Sequence, residues 1–295
     1  MKRTLGLVGA RGYVGRELLT LVGEHGDLDL RLSISQRDGK SPTEVAAERL
    51  DAYVLALPNG ASAPYVEAIA SARPDAVIVD LSADHRFNDA WVYGQPERKR
   101  AAIKGALRIS NPGCYATAMQ LALGPLVPLL EGPATVFGVS GYSGAGTTPS
   151  PKNDPDALKD NLMPYALVEH VHEREVAAQL GCRLFFMPHV APFFRGLTVT
   201  VSVALAWQCA RADLETRYRA AYDGEPLVRL QEEIPLVRDI AGRHDVVIGG
   251  LTLSEDGRHA VVVATIDNLL GGAATQALRN VNLALGFAEN QGISA

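Results

Sequence analysis

Residues 4 to 24 leave a chain like this few choices. Thr4 to Val8 is a short apolar run of strand type, Gly9-Ala10-Arg11-Gly12-Tyr13-Val14-Gly15 follows directly, and Arg16 to Glu24 carries helical periodicity. Strand, glycine turn and helix in that order open a parallel α/β sheet whose first turn binds a dinucleotide. The spacing is G-x-x-G-x-x-G rather than the stricter G-x-G-x-x-G, but the physics is the same. Glycines let the main chain approach a pyrophosphate, whose charge meets the N-terminus of the helix that starts near Tyr13. Gly9, Arg11, Gly12, Tyr13, Val14 and Gly15 are therefore the expected cofactor cradle.

The next segments keep that alternation. Leu28 to Ile34, Asp51 to Leu57 and Asp75 to Asp80 read as strands, Ala61 to Ala72 as a helix, and Leu107 to Ile109 as a last short strand. A doubly wound parallel sheet follows, with ligand at the carboxyl ends of its strands. Residues 38 to 49 resolve into no element, and 91 to 102 read as helix-poor. The second strand ends in Ser33, Ser35, Gln36 and Arg37, with Asp38 the first acid and expected beyond the ribose contact. Ser35 and Arg37 thus favour the 2′-phosphate of NADP, the alternative being that Arg37 is a solvated loop charge. The turn at Pro58 and the segment holding Arg86 both lie at strand ends. Arg86 is read either as the ligand of an anionic substrate group or as a surface ion pair.

The same sheet delivers Ser110-Asn111-Pro112-Gly113-Cys114-Tyr115, followed by an apolar helical run from Ala116 to Leu123. Asn-Pro-Gly is a sharp turn, so Cys114 is expected at a helix N-terminus, an environment that favours the nucleophilic thiolate. The plainer alternative is a small buried hydrophobe.

Composition narrows the function. A net charge of -5 and pI near 5.8 provide no broad basic field for nucleic acid or anionic membrane. The charge-free run from Ile109 to Leu130 is broken by four residues, Pro112, Gly113, Pro125 and Pro128, and is not read as a membrane span. No secretory signal is read after Lys2 and Arg3. Cys114, Cys182 and Cys209 are too few and too far apart for a disulfide framework or a metal site, which points to a reducing cytoplasm.

Beyond Cys114 the texture turns to α+β. Ala134 to Val139, Arg183 to Met187, Leu197 to Trp207, Val246 to Leu253 and His259 to Ile266 read as strands, the third alternating as in a half-exposed antiparallel strand. Ser140 to Thr148 is an uncharged glycine loop, with Ser143 and Gly144 at its centre, that reads either as closing over a nicotinamide ring or as a flexible loop with no ligand. Leu167 to Leu180 reads as a helix with His170 and His172, Pro188-His189 as a turn, and Leu269 to Ala288 as a helix able to pack on the first domain. The expected domains are 1–113 completed by 267–295, and 114–266.

Taken together, Gly9 to Gly15, Leu55 to Gly60, Asp80 to Asp84, Ser110 to Thr117, Ser140 to Gly146, Pro188-His189 with Arg195-Gly196, and Asp267-Asn268-Leu269 resemble the N-acetyl-gamma-glutamyl-phosphate reductase family, the acyl-phosphate reductases of arginine biosynthesis. The matches run in order from residue 4 to about 282. The resemblance implies a Rossmann NADP-binding domain and an α+β catalytic and dimerisation domain with a mainly antiparallel sheet. It also implies an acyl-phosphate substrate, no metal, and a homodimer or homotetramer. Pro58, Ser143, Gly144 and Asn268 join the expected cofactor contacts. Three departures stand out: a short segment between Gln36 and Asp51, Arg174 where many members have proline, and Gly271 where a lysine is expected.

The chemistry implied is covalent. Cys114 attacks the γ-acyl phosphate, phosphate leaves, and the thioester is reduced by NADPH. His172 is the expected acid/base, with His189 as fallback although a structural role in its turn is the favoured reading of it, and Asn111 with the Cys114 N–H the expected oxyanion donors. On a regular helix His170 would point about 200° away from His172. Arg86, Arg195 and His170 are the expected substrate ligands. Rival readings are an aspartate-semialdehyde dehydrogenase and a non-catalytic dinucleotide-binding regulator.

Overall fold

The structure, a computed structural model, describes residues 2–294, so positions 1 and 295 of the expected domain limits lie outside the described residues. It comprises two compact units, Met1–Gly113 with Ala273–Ala295, and Cys114–Gly272.

The first unit holds a six-stranded sheet of β1 (Arg3–Val8), β2 (Leu28–Ile34), β3 (Ala52–Leu55), β4 (Val77–Asp80), β5 (Val92–Tyr93) and β6 (Arg108–Ser110). The order is β2-β1-β3-β4-β6-β5 and every pair is parallel. Every residue of β3 and β4 is buried, because helices cover both faces of such a sheet. Those helices are α1 (Tyr13–Glu24), α2 (Pro42–Ala47), α3 (Ala63–Ala72) and α4 (Pro96–Ile103). Two of them correct the sequence reading. α2 is a short helix in the stretch read as featureless, fixed by a Ser41/Glu44 capping box and Pro42 in its first turn. α4 begins at Pro96 and is so largely charged that it shows no apolar period in the sequence, and Lys99 breaks its helical dihedrals. The C-terminal helix Thr275–Leu285 belongs to this unit. It is preceded by a π turn at Leu270–Ala274 and stopped by Gly286 at φ +82°, so it is shorter than the expected run from 269 to 288. Arg279 on it pairs with Glu97 at 2.6 Å and with Glu289.

The second unit is built on a seven-stranded sheet of β7 (Ala134–Gly141), β8 (Met163–Pro164), β9 (Leu184–Ala191), β10 (Leu197–Ala204), β11 (Val228–Leu230), β12 (Val246–Leu253) and β13 (His259–Ile266). Its order is β11-β12-β13-β10-β7-β9-β8, antiparallel except for the pairs β7/β9 and β11/β12. Its helices are α5 (Cys114–Leu123), α6 (Pro155–Leu158), α7 (Val171–Leu180), α8 (Arg211–Tyr222) and α9 (Val237–Ile240). α5 is mostly apolar and buried from Tyr115 to Leu123, with Val136, Phe186, Val199 and Val262 of the sheet in the same core. Its last carbonyls are satisfied by side chains: the Tyr222 hydroxyl donates to Leu121 O at 2.6 Å, and that of Tyr218 to Ala122 O. The other face of the sheet leaves Phe137 and Phe185 exposed, at 38% and 53%. Among the described residues no helix is long and apolar enough to cross a membrane.

Candidate functional site

Cys114 is the first residue of α5, after the Asn111-Pro112-Gly113 turn. The positive end of the helix dipole favours negative charge there. A cavity of about 70 Å³ is lined by Cys114, Ser140, Gly144, Lys152, Tyr165 and Val190, among others. The chain at Gly272 passes so close that a Cβ there would lie 2.6 Å from the Cys114 Cβ. A Cβ at Gly271, the position where lysine was expected, would lie 2.7 Å from His244 O, so this backbone leaves no room for one.

The Ser140 to Gly146 segment is a pinned 3₁₀ turn, Tyr142–Ala145. Gly141 N, Tyr142 N and Ser143 N donate to Gly196 O, Phe193 O and Phe194 O at 2.9, 3.0 and 3.0 Å. Asn268 locks it from beneath, donating to Ser143 Oγ at 2.9 Å while its Oδ1 accepts Gly196 N–H at 2.7 Å. Ser143 and Asn268, expected at the cofactor, thus spend these groups on each other and on the loop. Gly144 lines the cysteine cavity.

The two histidines come together, contrary to the regular-helix expectation. α7 starts at Val171, and His170 is its N-cap at φ -55°, ψ 141°. Its Nδ1 accepts the His172 N–H at 3.1 Å, which sets the two rings 4.9 Å apart. Burial, helped by the charge of Lys152, lowers the His170 pKa to about 4, so this imidazole is neutral at pH 7. The His172 ring lies 6.1 Å from that of Tyr115, the neighbour of Cys114. His189 is not in a turn. Pairing of β9 with β7 runs on to Ala191, placing His189 opposite Val139 and its ring 4.5 Å from Phe137, on the sheet face away from the core that holds α5. That parity removes His189 as an acid/base for Cys114.

Two expected anion ligands are built into the framework. Arg195 makes a bidentate pair with the fully buried Asp267, at 2.6 and 3.1 Å, whose carboxylate also accepts the N–H groups of Gly242, Leu269 and Leu270. Arg86, 8% exposed, donates to Asn111 O at 3.0 Å and Leu81 O at 2.9 Å. Asn111 is buried, its Oδ1 accepting from Asn280 at 2.9 Å and its amide donating to Pro112 O at 3.3 Å, which ties up the group expected at the oxyanion. Lys152 and Tyr165 escaped the sequence reading. The only signal was Ser150 and Asn153 flanking Pro-Lys, a capping pattern that folds the 3₁₀ turn Pro151–Asn153.

In the first unit the glycine turn has the form a pyrophosphate needs. Gly9 sits at φ +98°, where a Cβ would be 2.1 Å from Ala56 O, and a Cβ on Gly15 would be 2.3 Å from Gly9 O. Gly12 leaves the α1 N-terminus without a side-chain cap, and no acid stands in its first turn. These residues fit a dinucleotide. Pro58 is exposed in a turn whose Gly60 N–H donates to Asp84 at 2.7 Å. At the end of β2 the expectation for Asp38 changes. Its carboxylate folds back to accept Ser35 N and Oγ at 2.6 and 2.8 Å and pairs with Arg11 of the glycine turn at 3.1 Å. These Ser35 hydrogen bonds, foremost the main-chain one, hold its pKa below the usual carboxylate value.

Residues 114–268 match the family described as semialdehyde dehydrogenase, dimerisation domain, and residues 4–106 the semialdehyde dehydrogenase, NAD binding domain. An N-acetyl-gamma-glutamyl-phosphate reductase of Stenotrophomonas maltophilia is 54% identical over 97% of this chain and 96% of its own. The chain belongs to the N-acetyl-gamma-glutamyl-phosphate reductase family. A second member of that reductase family, from Xanthomonas oryzae, is 53% identical over 97% of this chain and 96% of its own. The fold is also that of aspartate semialdehyde dehydrogenase II from Vibrio cholerae, with TM-score 0.78 at 18% identity over 97% of this chain and 99% of that one. The glycine cradle is thus part of a nicotinamide dinucleotide-binding domain of this reductase family.

Proposed function

We propose that this chain reduces N-acetyl-γ-glutamyl phosphate to N-acetylglutamate 5-semialdehyde with release of phosphate, in cytoplasmic arginine biosynthesis, through a thioester on Cys114. The observation that carries the reading is the position of Cys114, which opens a buried ten-residue helix and faces a cavity shared with Ser140 and Gly144. The α5 N-terminus favours the thiolate for attack on the acyl carbon, and its N–H groups meet the developing oxyanion. Bound nicotinamide dinucleotide supplies the hydride. His172 carries the proton for the oxygen of the reduced carbon, held at the start of α7 by the His170 cap. His170, kept neutral by burial, offers its Nε2–H to the substrate.

NADP(H) is the coenzyme form we assign, cradled by Gly9, Gly12 and Gly15, with Arg37 and Ser35 toward the 2′-phosphate. Asp38 opposes that phosphate and makes the preference over NAD modest. The exposed face around Phe137 and Phe185 supports assembly of two or four copies through the second unit.

The test is NADP⁺- and phosphate-dependent oxidation of N-acetylglutamate semialdehyde by the wild type and by Cys114→Ser. The wild type turns over and the variant loses about 10³-fold or more in kcat. Equal rates would end the covalent route, and absence of wild-type turnover would end the substrate assignment.

A further inference from the structure

The cysteine cavity needs a cation, and the two arginines expected to provide it are paired elsewhere. Arg195 is held by Asp267 and Arg86 by main-chain carbonyls. Lys152 is the one cationic side chain among the described residues lining the cavity with Cys114. Its placement is built. The Asn153 amide donates to Gly146 O and Thr148 O, both at 2.8 Å, and Asn153 Oδ1 accepts Ser150 N–H at 2.8 Å, which fixes the turn that carries the lysine. The ammonium stands 4.9 Å from the centroid of the Tyr165 ring, itself part of the cavity wall. Its field reaches His170, whose protonation it opposes.

Resting on the reading of the previous subsection, we propose that Lys152 is the phosphate ligand of the site, receiving the phosphoryl group of the acyl phosphate and stabilising it as it leaves. In that step the Cys114 sulfur forms a bond to the γ-carbonyl carbon and the bond from that carbon to the bridging phosphate oxygen breaks. The electron pair stays on the phosphate, and the proton lost by the thiol ends on hydrogen phosphate. Phosphate rather than the substrate α-carboxylate is the group met here. It is bonded through one oxygen to the attacked carbon, whereas the carboxylate lies beyond three further carbons, and the cavity that Lys152 shares with the sulfur is only about 70 Å³.

The decisive comparison uses Lys152→Met, which keeps the stem, and Lys152→Arg, which restores the charge. In oxidation of the semialdehyde, Lys152→Met raises KM for inorganic phosphate about tenfold or more while KM for the aldehyde changes less than twofold, and Lys152→Arg recovers most of the loss. An unchanged phosphate KM, or a rise confined to the aldehyde KM, overturns the assignment. A second arm needs no turnover. Inorganic phosphate slows iodoacetamide alkylation of Cys114 in the wild type and in Lys152→Arg but not in Lys152→Met. Equal protection in all three overturns the proposal even if the wild type proves inactive on this aldehyde, a result that by itself would count only against the substrate.

Discussion

Nδ1 of His170 accepts the main-chain N–H of His172 at 3.1 Å, so the first histidine caps the helix that carries the second. The bond requires Nδ1 to be unprotonated, and burial enforces that by lowering the pKa from 6.5 to about 4. The unfolded chain therefore binds more protons than the folded one between those values. The stabilisation is complete above pH 6.5 and is lost as pH falls through 4, on the order of 2 kcal/mol after allowance for screening on the open side. His170→Asn keeps a capping side chain and removes the titration. Its urea midpoint is expected to fall less than that of the wild type between pH 7 and pH 4.5; parallel declines would refute the assignment.

Arg195, its side chain 23% exposed, pairs with the fully buried Asp267, so removing the arginine leaves a buried carboxylate to its main-chain donors alone. Arg195→Met is expected to cost about 3 to 5 kcal/mol in chemical denaturation, because Asp267 is fully buried. A variant that kept its stability and showed only a raised substrate KM would return Arg195 to the role of substrate ligand.

Asp38 holds the Ser35 hydroxyl, a group the 2′-phosphate would use, pairs with Arg11 of the glycine turn, and adds a negative charge beside the phosphate site. Asp38→Asn is expected to raise the ratio of kcat/KM for NADP⁺ over NAD⁺ roughly tenfold, chiefly by removing repulsion. Steady-state kinetics with both coenzymes checks this, and an unchanged ratio places the phosphate elsewhere.

Phe185 is 53% exposed and lies opposite Thr135 in the β7/β9 pair, on the same sheet face as Phe137 two residues along β7. Phe185→Asp should shift sedimentation toward the monomer at micromolar concentration, with little effect on the core. An unaltered sedimentation coefficient would move the contact to another surface.

Much of the architecture was legible because β3 and β4 are buried on both faces and β10 alternates, patterns that local periodicity records. Cys114 was legible because a Pro-Gly turn before an apolar run marks a helix start. The helix at Pro42–Ala47 was lost because six residues hold too little periodicity, although its Ser41/Glu44 caps were there to be read. The pairings of Arg195, Asn268 and Asn111 were not legible for another reason. Their partners Asp267, Ser143 and Asn280 lie 72, 125 and 169 positions away, and no local pattern encodes which side chains a fold will bring together. Lys152 was missed because its proximity to Cys114 arises from a short clamped turn with no hydrophobic signature.

The first unit is discontinuous, with Ala273–Ala295 returning to it after the whole of the second. Asn280, Arg279 and Asn282 on that returning segment bond Gly94, Glu97 and His25. During translation the parallel sheet must therefore wait, unfinished and with a gap in its cover, until the segment after residue 272 has been made. A chain cut shortly after residue 272 would keep every strand of the second sheet yet leave the parallel sheet without the segment that ties Gly94, Glu97 and His25 together.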